Sequence, residues 1–571
     1  MNRSTDRDVA RVIAQRQREA LAYEAPAGLE PQTDRSAQPG SAAYDRKATR
    51  TKLDVPDGFV ALPPPQSMPT SGAASSTSAP ASAVAASQPT RYREQPITLL
   101  SAIAYAERGR REYQTAKEDL YLVTLALMLE RHLWTPIFAA ELRSVYGNYG
   151  EIREFDQAMR FVADLSMAQR LPYGGEFTAR TVSTLVRDIR KGLTAEEGGT
   201  IDVGLNIPLL RGAGHVAQEE LIQLNRDLTY AVRDFERFRR RQFVDIAREY
   251  FDLLRAKQEV IDADTSLASA LDDFERAAAQ QSTGKGTILD TRRAEQRWLS
   301  EQNRVEQLRE SFRAQTDRFK LVIGMPVDDG IGIDDLEDIE SIEMQVLAGS
   351  LPLLQQTPAA SDERLARDVA IARRLDLLNR TDQIDDARRG VKIAKNRLLP
   401  DLGWNTTLGI ITDPGHFRTT DYEWERATWR SEMVLSLPIE RTREKTDYRR
   451  ALIDVRRAER NYQDEIERIR AEVRATVNQI RLQNTVVEIQ VRNLEVAEKR
   501  REFARLEFND GKLGNRDLVE AENEWTSARN ALNLAKTSRW AALLEFRVAT
   551  ETLLLDDDDG DGKMDMPARQ P

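Results

Sequence analysis

The stretch QSTGKGTILDTRRAE runs from Gln281 to Glu295, and NDGKLGNRDLVEAEN runs from Asn509 to Asn523. With Gly284 set on Gly511, both carry Gly-Lys, an Asp six positions after the glycine (Asp290, Asp517) and Ala-Glu four positions later (Ala294-Glu295, Ala521-Glu522). A phosphate-gripping loop needs Gly-x-x-x-x-Gly-Lys-Ser/Thr after a strand. Here Ala279 stands where the first glycine belongs, Gly286 follows Lys285, and a charged helical pattern leads in. The glycines therefore read as turns between antiparallel helices, and the shared spacing predicts an internal duplication.

The flanks repeat as well. In the first half, a helical pattern from about Gln95 stops at Pro136, and ELRSVYG and TIDVGLNIPLL alternate like strands up to Pro208. A proline-free helical pattern then leads to the Gly284 turn, and a further helix ends at Gly324-Met325-Pro326. In the second half a helix stops at Pro400, and DLGWNTTLGII and TWRSEMVLSLPI alternate up to Pro438. Another proline-free helix reaches the Gly511 turn, and a last one runs to about Leu555. Apolar residues in the two long patterns step by three and four, as a heptad seam requires. The first seam is Leu221, Leu224, Leu228, Ala231, Phe235 and Phe238. The second is Ile466, Ile469, Val473, Val477, Ile480, Val487, Val491 and Leu494, with Asn484 in one slot. The segment between Tyr146 and Ile201 is long for a strand connection, and YGEIREFDQAMRFVADLSMAQR reads as a partly helical insertion.

Composition narrows the function. The chain has 571 residues, 31% of them charged, with mean hydropathy −0.55 and net charge −10. No apolar run is long enough for a transmembrane helix, although a barrel needs only alternation. The negative balance argues against nucleic acid. There are no cysteines and only three histidines, His132, His215 and His416, at no ligand spacing. No nucleophile–base or metal constellation emerges, so no enzyme and no cofactor is expected. The N-terminus has no apolar signal region, which by itself reads as cytoplasmic. Residues from about Ala27 to Thr90 are poor in large apolar residues, and the Ala/Ser/Pro tract Ser71 to Thr90 reads as a linker. The tail LDDDDGDGKMDMPA places Asp557, Asp559, Asp561, Gly562 and Asp565 at calcium-loop positions, but Ala568 stands where a bidentate Glu belongs. An acidic disordered tail is the favoured reading.

A helix of about 70 residues rises roughly 100 Å, too far for an ordinary globular core. Two strands per repeat give four per chain, too few to close a barrel, so strands and helices alike are expected to be pooled between subunits. Over about Gln95 to Leu555 the chain resembles the TolC-like outer-membrane efflux proteins. The resemblance rests on PLLRGAGH (Pro208–His215), REYFDLLRAKQEVIDA, VKIAKNRLLPDLG, LPIERTREK and the two Gly-Lys tips. It implies a mainly α fold with a small β part: a homotrimer whose helical tunnel continues into a 12-stranded barrel, four strands per chain.

It also implies residence in the cell outer membrane, in contact with lipid, and passive export of small molecules or proteins. The implied partners are a periplasmic adaptor and an inner-membrane pump. The organisation expected is an N-terminal extension and linker (1–94), first repeat (95–325), inter-repeat linker (326–360), second repeat (361–555) and acidic tail (556–571). The resemblance also implies a signal sequence, and many family members are lipoproteins anchored through an N-terminal cysteine, which this sequence lacks; the true start is expected upstream of Met1, with a trimmed chain as the alternative. A cytoplasmic or periplasmic coiled-coil scaffold is the alternative; it leaves the strands and the corner prolines without a purpose.

Asp517 and Glu520 are three apart and share a helix face near the second turn. The resemblance makes them candidate gate residues; a first-turn acid favoured by the helix dipole is the plain alternative. Asp290 and Arg293 fill the same slots in the first repeat. Gly284, Lys285, Gly511 and Lys512 are turn residues, and the resemblance makes them candidate adaptor-docking tips.

Overall fold

The structure is a computed structural model, and it describes residues 2–21, 95–148, 157–188, 194–284, 287–333, 339–347, 354–412, 422–509 and 512–553. The first repeat runs α2 (Leu99–Gly109), α3 (Arg111–Leu133), β2 (Ile137–Asn148), β3 (Gln157–Arg170), β4 (Glu176–Asp188), β5 (Thr194–Pro208), α4 (Glu219–Ser282) and α5 (Ile288–Ile323). The second runs α8 (Glu363–Arg373), α9 (Leu375–Asn396), β7 (Asp401–Ile411), β8 (Thr428–Ser436), α10 (Thr442–Asn509) and α11 (Asn515–Ala549). Ahead of both lie α1 (Asn2–Leu21) and the short β1 (Gln95–Ile97); between them lie β6 (Ile331–Ile333), α6 (Ile339–Leu347) and α7 (Pro358–Ser361).

The duplication extends to a detail that sequence spacing did not reveal. A single arginine in extended conformation breaks the leading helix of each repeat: Arg110 (φ −69°, ψ 125°) and Arg374 (φ −63°, ψ 121°). Each guanidinium turns to the acid two residues on, Glu112 at 2.5 Å and Asp376 at 2.7 Å. Pro136 and Pro400 then stand directly before the first strand of each repeat.

The strand count differs from the expected four. Six strands form one antiparallel sheet in the order β2-β3-β4-β5-β7-β8. The insertion expected to be partly helical is the hairpin β3–β4, hydrogen-bonded on both sides into the sheet. The physical reason lies in Met159, Phe161, Ala163, Leu165 and Met167, which alternate with Arg160, Val162, Asp164 and Ser166. That is a period of two, the period of a strand and not of a helix.

Cross-strand register makes the alternation continuous. Phe138, Met167, Ala179, Val203, Leu408 and Trp429 are successive lateral partners, one from each strand. One residue along, Ala139, Ser166, Arg180, Asp202, Gly409 and Thr428 are successive partners on the opposite face. In these rows one face is apolar and the other is polar or small. The apolar face is bare: Phe138, Leu142, Trp429 and Met433 are 65–79% exposed.

The helices α4 and α10 have 64 and 68 residues, lengths of roughly 95 and 100 Å. Each folds back on its follower, α5 or α11. The main core lies part-way along, where Phe243, Tyr250 and Phe251 of α4 meet Phe319 of α5, Trp540 of α11 and Ile339 and Ile342 of α6. The inter-repeat segment is therefore more than a linker: β6 pairs in parallel with β1 and α6 joins the core. A second core packs α8 on α10 and α11 through Ala366, Ala370, Ile469, Val473, Val477, Ile480 and Phe546. The α10 seam holds through Val487, but Val491 is 47% exposed and Ala497 and Ala504 take over the buried line. A strict seven-residue repeat drifts around a 3.6-residue helix, so the contact line moves to a neighbouring face. Helix α1 packs Val9 and Ile13 inward, and Arg16 donates to Asn225 of α4 (2.6 Å).

Gly324 ends α5 at φ 78°, and a Cβ there would lie 2.6 Å from the Gly109 carbonyl carbon. The α2–α3 break thus sits directly against the α5 cap. Gly324→Ala would combine a left-handed alanine with a backbone clash, and it should cost about 2 kcal/mol or more. Thermal unfolding in detergent, followed by far-ultraviolet circular dichroism, should show the lowered midpoint; an unchanged midpoint would mean that this junction is loose.

Candidate functional site

The two hairpin ends differ in how they are closed. At the first, Gly284 has φ 75° and its N–H donates to Gln281 O (3.0 Å). The next helix starts with Thr287 as cap: Asp290 N–H donates to Thr287 Oγ1 (3.2 Å), and that hydroxyl donates to Asp290 Oδ2 (2.5 Å). Asp290 is committed to a cap. Lys285 lies outside the described residues.

At the second end, Gly511 lies outside the described residues. Lys512 N–H donates to Glu507 O (2.9 Å), and its ammonium lies 3.9 Å from the Glu507 carboxylate. Gly514 takes the cap position with no side chain to offer. Asp517 N–H donates to Gly514 O (3.1 Å), and the Asp517 side chain is exposed. Glu520 is also exposed, one turn on, 3.7 Å from Arg500 of α10. Arg500 also holds Glu524. The structure therefore brings Asp517 and Glu520 to the same end of α11 and gives one of them a cation within its own hairpin. The calcium-loop reading of the tail and His416 lie outside the described residues.

Sequence reasoning missed the contacts that join the hairpins. Arg297 of α5 reaches Asp273 of α4 (2.8 Å) and Glu522 of α11 (2.5 Å). Further from the ends, Arg529 of α11 reaches Asp262 of α4 (3.0 Å). The two bridges run in opposite senses, with the arginine on the first hairpin in one and on the second in the other. Trp525 supports the latter, with Arg501 stacked 3.8 Å and Arg529 5.5 Å from its ring centre.

Both aspartates are in low-dielectric surroundings. Burial pushes the Asp262 carboxyl above the ordinary range, against the Gln258 hydrogen bond and Arg529. Its Oδ2 is buried without a hydrogen-bond partner. Burial likewise raises Asp273, the Glu522 charge adds to it, and Arg297 opposes. Glu522 belongs to the Ala-Glu pair that marked the duplication. Its partner Arg297 lies 225 positions away on another helix, which no local spacing encodes.

Residues 366–550 match the family described as Outer membrane efflux protein. No curated protein matches the chain. Among solved structures the chain is similar to VceC, an outer membrane protein of Vibrio cholerae: 13% identity over 79% of this chain and 95% of that one, TM-score 0.56. It is similar to the CmeC outer membrane channel of Campylobacter jejuni: 13% identity over 79% of this chain and 85% of that one, TM-score 0.55. It is also similar to the open state of the MtrE outer membrane channel of Neisseria gonorrhoeae: 15% identity over 79% and 88%, TM-score 0.55. Identity at this level shows a shared fold.

The buried aspartates give the clasp a pH signature. A carboxyl raised in the folded state contributes stability that is present at low pH and lost as pH rises through its folded pKa. The stability of the wild type relative to Asp262→Asn should therefore increase as pH falls from 7 to about 5. Thermal midpoints of both proteins across that range would check the sign; the opposite slope would make the charged bridge net favourable. Arg529→Met leaves the buried Asp262 carboxyl with Gln258 alone and should lower the thermal midpoint more at pH 7 than at pH 5, because the unpaired carboxyl is relieved by protonation.

Proposed function

We propose that this chain, which belongs to the outer membrane efflux protein family through residues 366–550, is the outer-membrane duct of an export system. The observation that carries the proposal is the sheet joined to the two long hairpins. Phe138 and Leu142 of β2, Leu165 of β3 and Trp429 and Met433 of β8 stand exposed on one face, while Arg180, Asp202 and Glu432 lie on the other, the pattern of a barrel wall between lipid and a water-filled lumen. Helices of roughly 100 Å leave the same wall and extend it as a tunnel. A coiled-coil scaffold in water would leave Phe138, Leu142, Trp429 and Met433 exposed for no reason.

The working form is a homotrimer. Its hairpin ends, at Gly284-Lys285 and Gly511-Lys512, meet a periplasmic adaptor that links the duct to an inner-membrane pump. The duct is passive, and the pump selects cargo. Asp517 and Glu520 lie at the far mouth, where three copies make an acidic ring that favours cations and helps to hold the mouth shut.

Asp517→Ala with Glu520→Ala should remove the ring. In a planar bilayer the double variant should conduct more and lose cation preference, because carboxylates in a narrow pore set ion selectivity. Arg500 already balances part of the Glu520 charge, so Asp517→Ala alone should account for most of the selectivity change. Asp290→Ala should change conductance less, since Asp290 is engaged as a cap with Thr287. The trimer should lose less than about 1 kcal/mol, as expected for exposed carboxylates. Unchanged conductance and selectivity in an intact trimer would place the gate elsewhere.

A further inference from the structure

We propose that all six strands of each chain enter the membrane wall, so that three copies close an eighteen-stranded barrel instead of the twelve-stranded one the resemblance implies. This rests on the trimeric duct proposed above. It adds a pore width and an interaction surface: the β8 edge of one copy pairs with the β2 edge of the next.

Four observations support it. First, the inserted hairpin β3–β4 is not appended to the sheet but built into it, between β2 and β5, with unbroken pairing over most of its length. Its strands of 14 and 13 residues exceed the 9–11 residues or so that a tilted strand needs to cross a bilayer.

Second, the hairpin keeps the two-faced pattern. Met167 and Ala179 continue the apolar row between Phe138 and Val203. On the other face Arg180 pairs with Asp164 inside the hairpin and stands laterally beside Asp202 of β5. A hairpin folded away as a cap would have no reason to match its neighbours on both faces.

Third, its turn is fastened at the end of the wall where the long helices begin. Gly214 N–H donates to Tyr173 O (2.8 Å) and Gln218 Nε2 donates to Pro172 O (2.8 Å). Gly175, at φ 96°, passes so close to β5 that a Cβ would lie 2.0 Å from Asn206 O. The hairpin is thus pinned at the strand-to-helix corner.

Fourth, the edges suit a second copy. Strands alternate in direction through the sheet, and six is an even number, so β8 runs antiparallel to the β2 of a following copy. Every described residue of β8 is exposed, as is most of β2. Both edges carry an acid and a base two residues apart on the polar face, Glu141 and Arg143 on β2, Arg430 and Glu432 on β8. A register exists that sets Arg143 opposite Glu432 of the next copy. Unpaired edges of this length are costly in lipid, where no water satisfies the backbone.

With strands roughly 4.8 Å apart and tilted about 40°, twelve strands give a backbone diameter of about 24 Å and eighteen about 36 Å. The barrel would then be far from limiting. Selection by size would fall to the helical mouth, and bulky cargo would leave freely once past it.

The chain has no cysteine, so engineered pairs report cleanly. Leu142→Cys on β2 would be combined in turn with Trp429→Cys, Ser431→Cys, Met433→Cys and Leu435→Cys on the same face of β8. A parallel set would join Leu142→Cys with Gly199→Cys, Ile201→Cys and Val203→Cys on β5. In the six-stranded wall β2 and β5 are three strands apart, about 14 Å, beyond the reach of a disulfide. Expected are covalent trimers on non-reducing gels from at least one β8 pair, no bond within the chain from any β5 pair, and a barrel about 36 Å across by electron cryo-microscopy. Bonds between β2 and β5 within a chain would overturn the eighteen-stranded wall while leaving the trimeric duct intact, whereas no β8 bond in a trimer counted by native mass spectrometry would overturn the pairing of β8 with β2 and with it any wall closed between copies. A copy number other than three would overturn the trimer and the strand count together.

Discussion

Every backbone N–H and C=O in a sheet needs a partner, and here the six-stranded sheet ends in two strands with none on their outer sides. Interior strands are satisfied by their neighbours; β2 and β8 are satisfied on one side only. In water such edges recruit whatever strand comes near, and in lipid they are not tolerated at all. The same sheet shows an apolar face with nothing described upon it. Both defects vanish together if the sheet curls into a closed wall with copies of itself, and nothing among the described residues of one chain removes either. The free edges, the bare face and the length of the helices are one constraint expressed at three scales.

Below the sheet the helices are joined by a different device. Around the level where α4, α9 and α11 meet, Arg240 holds Glu236 (2.8 Å) and Glu551, and Arg237 holds Asp376 (2.8 Å) and Glu551 (3.1 Å). Arg374, the residue that breaks the leading helix of the second repeat, holds Asp376 and also Glu472 of α10 (2.6 Å). Glu551 sits there at φ 52°, a strained conformation that surrounding contacts must enforce. Burial raises its carboxyl despite two arginines. Buried ion networks are poor sources of net stability, yet breaking one member is expensive. Such a network fixes the relative register of two long hairpins, which apolar seams alone would let slide. The smaller clasp of Arg297, Glu522, Arg529 and Asp262 does the same nearer the ends.

Several elements were legible in the sequence because their signals are local. The turn at Gly284, the reversal between α10 and α11, the strands beside Pro208, Pro400 and Pro438, and the two long helices each declare themselves within a dozen residues. The hairpin β3–β4 reads partly as helix in sequence although Met159 to Met167 of β3 recur at every second position. Its outward positions are Met, Phe, Ala and Leu, residues that also build helices, and YGEIREF ahead of it carries charges at helical spacing. Near the tips, the acids of α11 were visible as a pair, but nothing in the chain marked Arg500 as the companion of Glu520, Arg297 as that of Glu522 or Asp262 as that of Arg529. Contacts between helices depend on rotation and register, which are set by the whole seam. Val491 shows this: it fits the heptad and is nonetheless exposed, because the line of contact had moved to Ala497.

By itself, then, the sequence determined a duplicated chain of long helical hairpins with strands at the opposite end, since spacing, periodicity and proline positions are properties of neighbours along the chain. Tertiary structure alone decided that the described strands number six, that their lateral rows continue from strand to strand, and that arginines from one hairpin hold acids of the other. Lateral rows such as Phe138 to Trp429 join residues almost three hundred positions apart. They exist only once hydrogen-bond register is fixed, and register is a choice made between strands, not within one.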